Sequence, residues 1–237
     1  MDIVLAIIRG FNYRIALLLV AFFLMLANLY LIYFWAPTEI NLGVSQRIFY
    51  LHVPLAWIGM LSIVLVALSS ITYLITGLKK WDDLAYSIAE IGVIFASLVL
   101  VTGVLWAKPV WGVWWTWDAK LSTTLILWFI FIGYLMIRSY SGKGTQRGAR
   151  FAAIVAVVGA IDAPIIYMAS VWWRTAHPEL NLGPLADESE AIGNSKIYYT
   201  FLVSMVSFTV FYIFLLVERY SIKRSEVALD ELYQISS

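Results

Sequence analysis

"IALLLVAFFLMLANLYLIYFW", Ile15 to Trp35, runs for 21 residues without a charged side chain. An α-helix rises about 1.5 Å per residue and the hydrocarbon core of a bilayer is about 30 Å thick, so roughly 20 apolar residues make one crossing. Five further stretches pass the same test: Val53–Gly77, Leu84–Trp106, Leu121–Ile137, Phe151–Trp173 and Ile197–Val217. The whole chain is 62% apolar and 13% charged, where an average soluble chain is about half apolar and about a quarter charged. The composition excludes a soluble domain. The expected fold is an all-α membrane protein of six transmembrane helices, with residues 1–237 forming a single polytopic domain. Arg9 and Arg14 precede the first run, but that run is too long for a signal-peptide core and no small-residue cleavage site follows, so it reads as a retained span.

Orientation follows from the basic residues. Eleven of the 16 lie on the side that holds both termini and the connections "KKWDD" and "SGKGTQRGAR"; five lie on the other. The excess of Lys and Arg puts the first side in the cytoplasm, so both termini are expected there. "SGKGT" lacks the spacing of a phosphate-binding loop, and no nucleic-acid partner is expected. With no cysteine in the chain, disulfides, thiolate metal sites, thiol redox chemistry and covalent attachment of a haem are excluded.

The three outer connections, Ala36–His52, Ala107–Lys120 and Arg174–Lys196, gather the unusual residues. They carry both histidines of the chain, His52 and His177, and the run "WGVWWTWDAK" from Trp111 to Lys120. Either histidine alone reads first as an interfacial polar residue bonded to backbone or water. Two on one surface, reached from different spans beside a tryptophan cluster, suit axial ligation of a planar cofactor, since a haem iron accepts an imidazole on each face. Zinc fits less well, because a closed site takes four protein ligands.

If Pro109 opens a short helix, Trp111, Trp114, Trp115 and Asp118 fall at i, i+3, i+4 and i+7 on one face. The segment 107–120 is therefore expected to be a tryptophan-rich helical piece on the outer face. It has no strongly polar side for water, so something should cover the indoles: a flat apolar ligand, or another part of the bundle. Arg47, Lys108, Lys120 and Arg174 are the outer cations that could meet the carboxylates of such a ligand, and each also reads as a snorkelling interfacial residue. Asp118 would repel carboxylates and is assigned to orienting a neighbouring cation, a backbone N–H or an indole N–H.

The run "LVTGVLWAKPVWGVWWTWDAKLSTTLILW" resembles the tryptophan-rich signature of the haem-handling membrane proteins of cytochrome c biogenesis. "QRIFYLHVPLAW" and "VWWRTAHP" resemble the histidine segments of one family among them, cytochrome c maturation protein C or haem exporter protein C. The resemblance runs from about Gln46 to about Tyr220 and implies a haem-transfer factor of the inner membrane rather than an enzyme. It implies non-covalent haem b on the periplasmic side, with His52 and His177 as axial ligands. Trp106, Trp111, Trp114, Trp115, Trp117 and Asp118 form the signature, and Arg47 and Arg174 lie beside the histidines. The implied partners are haem itself, a membrane-anchored haem chaperone, a small single-span subunit and an ABC transporter module. Lys120 departs from the arginine usual after "WDA", replacing a bidentate fork by a point charge. The larger synthetase-type relatives carry more spans and a second histidine pair, which this chain lacks.

Two other readings stay open. In a b-type haem electron carrier two histidines would also suffice for one haem. A small-molecule membrane transporter would lean on Asp162, in the middle of the fifth expected span, and on broken helices at that depth. For Asp162 itself, a protonated carboxyl donating to a carbonyl freed by Pro164 is expected, with a proton path as the alternative. Glu90 is expected to be solvated or paired with Lys80, and the acidic run Asp187–Glu190 to be a solvated outer loop.

Overall fold

A computed structural model describes residues 2–40, 42–141, 145–175, 177 and 195–236. Six helical stretches among them are long and apolar enough to cross a membrane: Tyr13–Trp35, Val44–Thr76, Lys79–Trp111, Ala119–Tyr140, Gln146–Trp173 and Ser195–Tyr233. Each covers one of the six spans expected from the sequence, the second stopping at Thr76, one residue short of the expected Gly77, and no strand is formed among the described residues.

Helix α1 (Asp2–Tyr30) continues into a π-helical turn, Leu31–Trp35. After a 3-10 turn at Val44–Ile48 come α2 (Phe49–Thr76) and α3 (Lys79–Trp111), which pair closely along their length. Next are α4 (Ala119–Tyr140), α5 (Gln146–Gly159), α6 (Asp162–Trp173) and α7 (Ser195–Ser236). Between apolar helices in lipid, small residues allow close approach and polar side chains bond across the contact. The crossing of α2, α3, α4 and α5 is built that way from Ala85, Ala89, Ala96, Ala152 and Ala156 around Phe131. At Gly92 a Cβ would stand 2.6 Å from the Phe131 ring, so only glycine lets α3 and α4 meet there. Helix α1 packs on α7, where Ser204 donates to Asn28 Oδ1 at 2.7 Å and Ser207 to the Leu24 carbonyl at 3.2 Å.

The fifth span departs from expectation. It is two helices, not one, interrupted at Ala160–Ile161. Pro164 has no N–H to offer the carbonyl four residues back, that of Ala160; the N–H of Ala163 takes it instead at 3.2 Å, tightening the chain into a 3-10 turn. The carbonyl that a protonated Asp162 was expected to serve is thus already used. Asp162 is 8% exposed and its Oδ2 has no hydrogen-bond partner.

Ionic contacts tie the helices at the end opposite His52. Asp82 of α3 meets Arg138 of α4 at 2.8 Å, and Glu90 of α3 meets Arg219 of α7 at 2.6 Å. Glu90 therefore pairs across the bundle rather than with Lys80. Arg219 also reaches Glu226 at 3.2 Å, Lys223 lies 4.4 Å from the Tyr86 ring centre, and Arg14 of α1 pairs with Glu218. The acidic run 187–190 lies outside the described residues.

Candidate functional site

The helices bring His52 and His177 together. His52 lies in the first turns of α2, buried at 7% exposure, where the sequence reading had put it ahead of the span. Pro54 sits within α2, in its second turn. His177 follows α6 by way of Arg174, whose backbone is left-handed with φ 47°. A side chain in that region costs energy because its Cβ crowds the carbonyl, and the turn it makes redirects the chain as it leaves α6. The two imidazole ring centres are 6.3 Å apart, with planes inclined by 38°.

Helix α3 supplies the walls. Trp106 lies 5.9 Å from the His52 ring and Trp111 lies 6.2 Å from that of His177, so four rings follow one another as Trp106, His52, His177, Trp111. Thr102, one turn before Trp106, places its Oγ1 2.9 Å from His52 Nδ1. Gly103 leaves room for the ring: a Cβ there would be 3.2 Å from His52 Cε1.

The tryptophan run does not form the expected short helix. Helix α3 carries on through Pro109 to Trp111, and Gly112 ends it in the left-handed conformation with φ 75°. Pro109 withholds an N–H from the Leu105 carbonyl and so weakens the last turn, and Gly112 closes the helix because glycine adopts positive φ without a Cβ penalty. Residues 112–118 are non-helical. The indoles therefore do not share one face. Trp111 turns to His177; Trp114, 55% exposed, lies under Lys108 at 5.7 Å; and Trp115 meets Trp117 edge to face at 5.7 Å. Trp117 is 78% exposed, and the indole N–H of Trp115 is buried without a partner.

Asp118 caps α4. Its Oδ1 accepts from the Leu121 backbone N–H at 3.0 Å and its Oδ2 from the Thr116 hydroxyl at 2.9 Å. Of the three roles expected for it, orienting a backbone N–H is the one this geometry carries. Replacing an N-cap acid by alanine costs about 1 kcal/mol. Asp118→Ala should lower the free energy of unfolding in detergent by that amount, while Asp118→Asn, still an acceptor, should lose only a fraction of it. Equal losses in the two would deny the cap.

Of the expected cations, Lys120 is the one shown to act on a histidine. Lys120 reaches the Ser170 hydroxyl of α6 at 3.5 Å and acts electrostatically on His52. Arg47, in the 3-10 turn, stacks over Tyr33 at 5.8 Å and keeps a buried Nε without a partner. Arg174 is exposed at the end of α6. Sequence reasoning missed Thr102 and Gly103. Their only signal was register, since Thr102 stands one helical turn before Trp106.

Residues 8–232 match the model of the family described as Heme exporter protein C. A relative from Marchantia polymorpha, described as a ccmC-like mitochondrial protein of cytochrome c biosynthesis, is 38% identical over 70% of this chain and 71% of its own. The Heme exporter protein C of Haemophilus influenzae is 34% identical over 78% of this chain and 74% of its own, and that of Escherichia coli K12 is 35% identical over 60% and 58%. With the family match spanning all six candidate spans and both histidines, the chain belongs to the Heme exporter protein C family.

Proposed function

We propose that this protein holds haem b non-covalently between His52 and His177 on the extracytoplasmic side of the inner membrane. From there it presents haem to a membrane-anchored chaperone for c-type cytochrome biogenesis, beside a small single-span subunit and an ABC transporter module. One observation carries the reading: two imidazoles from separate elements stand with ring centres 6.3 Å apart. A metal–imidazole nitrogen bond is about 2 Å, so two rings sharing one metal have centres roughly 6 Å apart. The membrane orientation is supported by the eleven-to-five division of basic residues.

In this reading each group has a distinct task. His52 and His177 supply the two imidazole nitrogens. Trp106 lies against His52 and Trp111 against His177, adding flat apolar surface beside each imidazole, which favours a planar aromatic ligand over water. Arg47, Lys120 and Arg174 balance the charge of carboxylates, and Arg47 brings a buried donor with no acceptor of its own. Trp114 and Trp117 are exposed and offer the contact surface for the chaperone.

Haem binding is checked by titrating haemin into the purified protein in lipid nanodiscs and recording absorption with and without dithionite. The expected result is saturable uptake with a low-spin, two-imidazole spectrum in both oxidation states. A high-spin or unshifted spectrum at saturation would sink the reading. The broken fifth span favours transport of a small molecule through the bundle instead; it loses its support if Asp162→Asn leaves haem uptake and hand-over unchanged.

A further inference from the structure

We propose that Thr102 sets the tautomer of His52, holding its proton on Nδ1 and leaving Nε2 as the bare nitrogen. The hydrogen-bond count around Thr102 carries this. Its hydroxyl stands 2.7 Å from the Leu98 carbonyl and 3.2 Å from that of Val99, the back-bond that a threonine makes to its own helix. A hydroxyl has one proton and two lone pairs. With the proton directed to the α3 backbone, Oγ1 meets His52 Nδ1 at 2.9 Å as an acceptor. The nitrogen must then be the donor. The opposite tautomer would require the hydroxyl to leave the helix carbonyls and would satisfy one bond in place of two.

The surroundings remove the freedom that would blur this preference. His52 is 7% exposed, so water does not compete for Nδ1. Gly103 lets the ring lie close against α3, where even a methyl group would stand 3.2 Å from Cε1. One helix thus fixes both the position of the ring and the placing of its proton. A histidine that ligates a metal through one nitrogen commonly donates through the other, which sets orientation and raises ligand basicity. The consequence for metal binding rests on the axial role proposed above; the tautomer does not.

The tautomer is read in haem-free protein labelled with ¹⁵N-histidine. The chain has two histidines, so His177→Ala assigns the His52 signals. The expected wild-type spectrum shows His52 with a protonated Nδ1 and a bare Nε2 in roughly tenfold excess, the preference that one additional hydrogen bond supports. Thr102→Val, which keeps the branched shape, should bring the two tautomers near parity, and Thr102→Ser should restore the excess. A wild-type His52 protonated on Nε2, or a tautomer ratio indifferent to Thr102→Val, overturns the proposal. If Thr102→Val does not accumulate, wild type and Thr102→Ser decide it by the same criterion. Haem uptake by His52→Ala separately tests the axial role: full uptake there would end that reading and leave the tautomer assignment standing.

Discussion

Haem retained on purification should fall by at least about tenfold in His52→Ala and in His177→Ala, and the double variant should lose little more than the worse of the two. Partners that only orient a metal ligand are worth about 10–100-fold in affinity, and removing the ligand itself should cost no less. Near-saturation in the double variant follows from the proposed two-imidazole site, which the loss of either ligand already breaks. The two single variants should nevertheless respond differently to added imidazole. His52 is 7% exposed and packed against α3, so a free imidazole must enter a closed site and find the Thr102 hydroxyl. His177 is only half-buried and stands beyond the end of α6, where an imidazole from solution has access. Rescue of the two-imidazole spectrum should therefore be stronger for His177→Ala. Equal spectra in wild type and both single variants would remove the histidines from the site.

What was legible in the sequence is what depends on one helix at a time. The apolar runs, a bilayer's thickness and the helical rise locate all six candidate spans, because in lipid the backbone has no better option than its own helix. Span ends were read too short at Leu84 and Val217, since α3 starts at Lys79 and α7 runs to Ser236. Hydropathy marks where apolar residues stop, whereas a helix stops where its backbone bonds do. The Trp111–Asp118 periodicity misled for the same reason. Its spacing is helical, yet Gly112 closes the Lys108 carbonyl bond and Asp118 opens α4, so the residues between the two caps are left non-helical. Histidine pairing was legible only as a composition of two on one surface. Its distance depends on α2, α3 and the left-handed Arg174 meeting in space. Thr102 was invisible because its significance is its contact with a residue 50 positions away.

Arg138→Met should destabilise the bundle by about 3–5 kcal/mol, the cost of leaving a buried charge without its partner. Arg138 and Asp82 have side chains 11% and 8% exposed and meet at 2.8 Å, so neither can turn to water for compensation. Asp83, next in the chain, is 1% exposed with an unpartnered Oδ2, so losing the guanidinium leaves two neighbouring buried carboxylates without it. Arg138 also stacks on Tyr86 at 5.7 Å, whose ring is shared with Arg219 and Lys223 of α7. One substitution therefore loosens α3, α4 and α7 together. Buried pairs contribute little net stability when replaced whole by apolar groups of similar size. Arg138→Met combined with Asp82→Leu should accordingly recover most of the loss, which a double-mutant cycle of unfolding midpoints in mixed micelles would measure. If Arg138→Met alone unfolds like wild type, water reaches Asp82 and the pair is a surface contact. If the double variant stays as unstable as the single, the penalty belongs to the Tyr86 stack and not to the stranded carboxylate.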